Sequence, residues 1–419
     1  MDSLIILTAD SNGGYPVPAV RGGAVSTLVE HLIDDNENRQ CFKIELVSLY
    51  NKKAKMKAQK YQNTVFQWIK VPVEIKWLDK LFFNIVRAFF PSKKSISYRS
   101  VFSLLFYVVK ARKKIKHTSA TVLVENNIIL SWALKGLFKS KSRKYFYHLH
   151  NVPRVNGYAR KILNSASGYL CVSNYVAEQI EDNKNPIGPI PKDKVKILRN
   201  CIDSAVFNIN TVDVKIEEIK SRYGIKDDDQ VILFSGRISI EKGVDQLLKA
   251  MQIISHSKKF KILVVGSYIH GEKSKNTEFE TSLKKLNNGL KNAVIFTGYI
   301  DQLELKYYYQ IARLTVLPSM WEEPAGLTML ESMACGTPVI TTDAGGIPEY
   351  VGDCAIVLER DKRLPEHIAN SILRLIDDDE LYEWYVNNGL NLISSSYNQD
   401  GYAVRLLTLL NKIDVENLN

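Results

Sequence analysis

Two carboxylates, Glu323 and Glu331, stand with seven residues between them in a stretch, 318–341, that also holds Pro324, Ala325 and Gly326. An apolar run at 314–317 stops at Pro318, a loop follows, and a helical pattern starts near Leu327, so the stretch reads as strand, loop and helix. Pro324 has no N–H to give, and Gly326 lets the backbone come close to a ligand. The amides of Gly326, Leu327 and Thr328 are therefore left free at the helix start. Such amides want an anion, and the helix dipole adds to that preference, which makes the spot a seat for a diphosphate. Carboxylates beside a phosphate must serve something else. Hydroxyl groups donate to carboxylates, and a nucleotide sugar carries hydroxyls on both sides of its diphosphate. Either glutamate alone would more often be a surface residue complementing the dipole; the reading rests on the pair and its loop.

A second set lies upstream. Gly236-Arg237 and Lys242-Gly243 follow an apolar run at 230–235, and a helical pattern begins at Val244. A guanidinium and an ammonium flanking a glycine turn are what a departing diphosphate requires as charge gathers on it. Gly22-Gly23 precede a helical run from Ala24; a glycine pair there admits a phosphate, although it more often marks only a turn. His150 follows the apolar run 145–149, with His148 two residues earlier on the same face. Ligands of parallel sheets gather beyond such strand ends.

Glu323-Pro324-Ala325-Gly326-Leu327, Glu331 and Ala334-Cys335-Gly336-Thr337-Pro338-Val339-Ile340 resemble the donor-site signature of glycosyltransferase family 4. These are retaining group 1 transferases of the GT-B fold, which serve envelope polysaccharide and lipopolysaccharide synthesis. Residues 236–243 resemble the family's second signature. The resemblance implies that Glu323 and the neighbouring amides hold the donor sugar, and that Glu331 holds the ribose hydroxyls. It assigns the diphosphate to Arg237 and Lys242 beside Gly236. Gly22 and Gly23 would face the donor phosphates and help seat the acceptor. His150 would lie close to the donor sugar, with His148 as the alternative, and the turn at Tyr299 would read the base. The catalytic candidates are thus Glu323, His150, Arg237 and Lys242. The donor-binding candidates are Gly22, Gly23, Gly236, Arg237, Lys242, Tyr299, Ala325, Gly326, Leu327, Thr328 and Glu331, with Ala325 standing where the family more often has phenylalanine. No metal site and no cofactor are expected beyond a nucleoside diphosphate sugar as donor, UDP being the expected nucleotide.

These residues need elements to hold them. Short apolar runs at 4–8, 44–48, 121–125, 145–149, 168–173, 230–235, 261–266, 294–298 and 314–317 alternate with helical patterns, the mark of α/β architecture with parallel sheets. At 419 residues the chain exceeds what one core usually serves. The resemblance implies GT-B: two Rossmann-like parallel-sheet domains facing across a deep cleft. An acceptor-side domain is expected at 1–205, a donor-binding domain at 206–395, and a C-terminal helix at 396–419 crossing back onto the first.

The chain is 45% apolar and 24% charged, which argues for an ordered globular protein. Five scattered cysteines show no metal spacing and suit a reducing, cytoplasmic setting. The first residues read as a strand and not as a secretory leader, and the longest candidate segment, 101–109, is far shorter than the ~18–20 apolar residues of a spanning helix. Net charge is +11, and between 70 and 117 lysines and arginines interleave with Trp77, Leu81, Phe82, Phe83, Ile85, Val86 and Phe89. That pattern suits either an anionic membrane surface or an ordinary helix with its apolar side in the core. No recognition helix or stacking motif points to nucleic acid. The expected function is a retaining transfer of a hexose or N-acetylhexosamine to a saccharide or lipid-linked acceptor, on the inner face of the cytoplasmic membrane. A nucleotide-sugar hydrolase or epimerase on the same fold is the alternative.

Overall fold

The computed structural model describes residues 1–9, 16–20, 23–89, 98–137, 143–256, 259–267, 278–290 and 293–416. Two units form, one from Met1–Cys201 with Gln399–Asn419, the other from Ile202–Asn398.

The first unit holds β1 (Asp2–Leu7), β2 (Phe42–Leu49), β3 (Thr64–Ile69), β4 (Thr121–Glu125), β5 (Tyr145–Leu149), β6 (Gly168–Cys171) and β7 (Val195–Ile197). Their order is β3-β2-β1-β4-β5-β6-β7, and every pair is parallel. Strands buried on both faces need continuous apolar runs, which is how Leu4 to Leu7 and Val122 to Val124 read. The order reverses between β1 and β4, so the chains leaving those two strands diverge and leave a crevice.

Helix Val73–Phe89 buries only Asp79. That carboxylate accepts the Phe102 and Ser103 amides at 2.8 and 3.0 Å and so caps the start of helix Val101–Ile115, which fixes the pairing of the two helices. Val73, Trp77, Leu81, Ile85 and Phe89, one every fourth residue, stay exposed. The alternative of a helix with its apolar side in the core does not hold for this ladder.

The last helix, Tyr402–Glu416, belongs to the same unit. It starts at Tyr402 and not at the expected 396, because Ile393–Tyr397 winds as a π turn and Tyr397 stacks on Tyr350 with centroids 5.3 Å apart. Asp35 of helix Ala24–Arg39 accepts the amides of Gly401 and Ala403 at 3.0 and 2.8 Å, and Tyr402, Ala403, Leu406, Leu410 and Ile413 are buried.

The second unit holds β8 (Gln230–Ser235), β9 (Phe260–Val265), β10 (Val294–Gly298), β11 (Leu314–Leu317), β12 (Val339–Thr342) and β13 (Ile356–Leu358), ordered β10-β9-β8-β11-β12-β13. All pairs are again parallel, and the reversal falls between β8 and β11. Its core includes Leu247 and Met251 of helix Val244–Ile254 and Ile368 and Ile372 of helix Leu364–Asp377, two helices that pack on one another.

Candidate active site

β8 delivers Gly236 and Arg237, and its neighbour β11 delivers Pro318 and the loop behind it, so both candidate segments leave the second sheet at its switch point. Gly236 has φ +155, and a Cβ on Gly266 would lie 1.8 Å from the Gly236 carbonyl oxygen; only glycine lets these backbones meet. Past the turn, Gly243 has φ +69 and a Cβ there would lie 1.9 Å from the Pro318 oxygen. That approach brings Lys242 to the loop. Its Nζ meets Glu323 Oε1 at 2.5 Å, both side chains being largely shielded from solvent.

Glu323 is held from three sides. Ser319 Oγ donates to its Oε1 at 2.9 Å, Lys242 donates to the same oxygen, and its carbonyl accepts the Gly346 amide at 2.7 Å. Gly345, φ +58, presses against the Glu323 backbone, where a Cβ would come within 2.4 Å of its oxygen. Arg360 ties the loop down through Glu322 and Asp343, each at 2.8 Å. Gly326 caps helix Leu327–Ala334 with no side-chain hydrogen bond and no acidic residue in the first turn. Among the described residues the Leu327 and Thr328 amides find no backbone acceptor. Lys242, from the turn after β8, thus pairs with Glu323 in the loop that leads into an uncapped helix start, a surface suited to an anion and a hydroxylated group.

One turn on, Glu331 is buried and accepts the Tyr309 hydroxyl at 3.1 Å. Burial pushes its carboxyl up to about 7, against the hydrogen bonds from Tyr309 and Gln302 that favour its ionised form. Arg237 is exposed, 3.7 Å from Glu241. Ala325 is half-buried beside the core, and Tyr299, past the positive-φ turn at Gly298, is exposed.

The remaining candidates are in the first unit. Gly23, φ +124, caps helix Ala24–Arg39, while Gly22 lies outside the described residues. His150 is buried, and its Nε2 lies 2.8 Å from Glu125 Oε2; His148 Nδ1 reaches the same oxygen at 3.1 Å. Burial would raise Glu125, but the two imidazoles outweigh it and hold the carboxyl down at about 2. Burial and the neighbouring His148 ring push His150 down to about 4. An ionised carboxylate only accepts, so both rings donate to it. His148 Nε2 and His150 Nδ1 are left buried without a partner among the described residues. The ligand atoms of Glu125, His148 and His150 lie within 4.8 Å of one another, which would allow a metal ion, yet the nitrogen to oxygen distances are those of hydrogen bonds.

Sequence reasoning missed Ser319, Tyr309, Arg360 and Glu125, and it named Gly243 only as part of the turn beside Lys242.

Residues 215–391 match the family model described as glycosyl transferases group 1. An uncharacterised glycosyltransferase of Methanocaldococcus jannaschii is 31% identical over 176 residues, 42% of this chain and 43% of its own. The alpha-monoglucosyldiacylglycerol synthase of Streptococcus pneumoniae is 30% identical over 185 residues, 43% of this chain and 38% of its own. The chain thus spans less than half the length of these relatives. Anabaena HepE, solved with UDP and glucose, is 17% identical, covers 98% of this chain with 100% of its own, and superposes with a TM-score of 0.72. That likeness establishes the fold as GT-B, two Rossmann-like domains. Over residues 215–391, within its second unit, the chain is similar to the group 1 glycosyl transferases.

Proposed function

We propose that the protein transfers a hexose or N-acetylhexosamine from a nucleoside diphosphate sugar, with UDP as the nucleotide, to a hydroxyl of an acceptor, keeping the anomeric configuration. The observation that carries this reading is the pairing, at 2.5 Å, of Lys242 with Glu323 of the loop before an uncapped helix start. Lys242, Arg237 and the amides of Gly326, Leu327 and Thr328 hold the diphosphate. Glu323 accepts from sugar hydroxyls and Glu331 from the ribose. In the step itself the bond from C1 to the phosphate oxygen breaks and a bond from C1 to the acceptor oxygen forms on the same face. The acceptor proton passes to the departing diphosphate. Positive groups around that leaving group lower the barrier as its charge grows. Gly22 and Gly23 border the phosphates, Tyr299 the base, and His150 lies close to the donor sugar.

The acceptor is lipid-linked, as part of envelope saccharide synthesis, and the first unit lies peripherally on the inner face of the cytoplasmic membrane. The exposed ladder from Val73 to Phe89 supports this, and so does a relative named for a glucosylated diacylglycerol. No helix among the described residues is long and apolar enough to cross a membrane. The test is incubation with a panel of nucleotide sugars, with and without lipid-linked acceptors. Acceptor-dependent consumption of one donor is expected; equal consumption without acceptor would make the protein a hydrolase, and return of an epimerised donor an epimerase.

A further inference from the structure

The switch point of the first sheet opens into a cavity of about 940 Å³, reached by Thr8 and Ala9 past β1 and by Asn126 and Asn127 past β4. One wall is Val101, Leu104 and Leu105; the other is Ile128, Ile129 and Trp132. Several polar groups on this lining are turned into the protein, while Tyr98, Asn151 and Arg154, which also line it, are exposed. Asn126 Oδ1 accepts the His150 amide at 3.0 Å. Asn127 donates to the Ala9 oxygen at 2.9 Å and accepts the Ile129 amide at 3.1 Å. The Trp132 indole N–H donates to Gly157 at 2.8 Å, Ser26 Oγ donates to Gly23 at 3.1 Å, and both histidines occupy Glu125. A saccharide buried here would leave its hydroxyls desolvated and unmatched, each at a cost of the order of a lost hydrogen bond. A hydrocarbon chain would lose nothing and bury apolar surface on both sides.

Gly23 and the first turn of helix Ala24–Arg39, which carries no side-chain cap and no acidic residue, also line the cavity. Leu105 both lines the cavity and is half exposed, with Val109 exposed one turn further along the same helix. That helix packs on Val73–Phe89, whose exposed ladder is flanked by Lys76, Lys80 and Arg87. Apolar surface therefore runs from inside the cavity to a basic, apolar outer face that complements anionic lipid.

We propose that this cavity seats the proximal hydrocarbon of a lipid-linked acceptor, whose chain leaves past Leu105. The proposal deepens the transferase reading and rests on it for the word acceptor; the binding site itself can be tested without turnover. The probes are dodecyl phosphate below its micelle concentration, butyl phosphate and inorganic phosphate, titrated calorimetrically into the full chain, with UDP titrated in parallel. Dodecyl phosphate is expected to bind at least tenfold tighter than butyl phosphate. Ile129→Trp and Val155→Trp, which fill the cavity, should cut dodecyl phosphate affinity at least tenfold and leave UDP affinity unchanged. Val155 is exposed at the rim, so its variant folds even where the bulk at Ile129 is not tolerated. Equal affinity for the two alkyl phosphates would overturn the proposal. So would loss of dodecyl phosphate binding in Trp77→Glu with none in the cavity variants, because the chain would then be held by the outer face. Dodecyl phosphate binding without any UDP binding would leave the cavity standing and remove the transferase reading instead.

Discussion

Lys242 and Glu323 meet before any ligand is present, so the ammonium that would receive a diphosphate is already oriented, and a carboxylate partner keeps it from wandering. Such preorganisation is where electrostatic catalysis gains most. Lys242→Ala is expected to lower kcat/KM by roughly 100- to 1,000-fold, or about 2.7–4 kcal/mol, with the fold intact by circular dichroism. Turnover near wild type would remove Lys242 from the site. Glu331 gives a pH signature. Its carboxyl is raised to about 7, so it is protonated on the acid side, where it cannot accept from two ribose hydroxyls. UDP affinity should therefore rise between pH 6 and 8. The unliganded protein should respond in the opposite sense: a raised folded pKa contributes stability at low pH that is lost as pH climbs from the ordinary carboxylate range through about 7. Melting temperatures at pH 6 and 8, with and without UDP, check both signs, and Glu331→Gln should flatten both. At this scale the sequence was legible where chemistry and spacing are local, as with Glu323 and Glu331. It was blind to partners brought from afar. Tyr309 and Glu125 look ordinary in the chain, Ser319 does so too although it shares a loop with Glu323, and His150 reads as an open strand-end histidine although its ring is buried against Glu125.

Elements place these groups through a few close backbone contacts. The turn from β8 touches the end of β11 at Gly243, where any side chain would strike the Pro318 oxygen. Gly243→Ala should push Lys242 away from Glu323, lowering stability by about 1–3 kcal/mol and donor binding more than Lys242→Ala does. Denaturant titration and UDP calorimetry separate the two effects. An alanine at Gly243 with wild-type affinity would show that the turn is slack. Strand order was legible only as a class. Continuous apolar runs announced β1, β4, β5 and β8, but β3, β7, β12 and β13 were missed, since Thr64–Ile69 lacks clean patterning and the other three are only three or four residues long. The pairing of helices Val73–Phe89 and Val101–Ile115 through Asp79 was equally hidden. A buried aspartate capping a helix that starts more than twenty residues later leaves no periodic trace.

For the whole molecule, the composition announced a basic protein and the structure adds where its apolar surface is open. Vesicles containing anionic lipid should bind the protein at low salt and release part of it at high salt, because the attraction decays over roughly 10 Å at 0.1 M ionic strength. Trp77→Glu together with Phe89→Glu should abolish binding by removing inserted surface. Co-sedimentation reads both effects; equal recovery with neutral and anionic vesicles would leave the ladder without a lipid partner. One further consequence follows from Asp35, whose carboxylate receives Gly401 and Ala403. The groove that Leu406, Leu410 and Ile413 fill belongs to a unit whose strands all precede residue 202. During synthesis that groove waits for the whole of Ile202–Asn398 to emerge, a delay of roughly 10–40 s at ribosomal speed. Through that interval the first unit stands open along one side, exposed to chaperones and to neighbouring nascent chains.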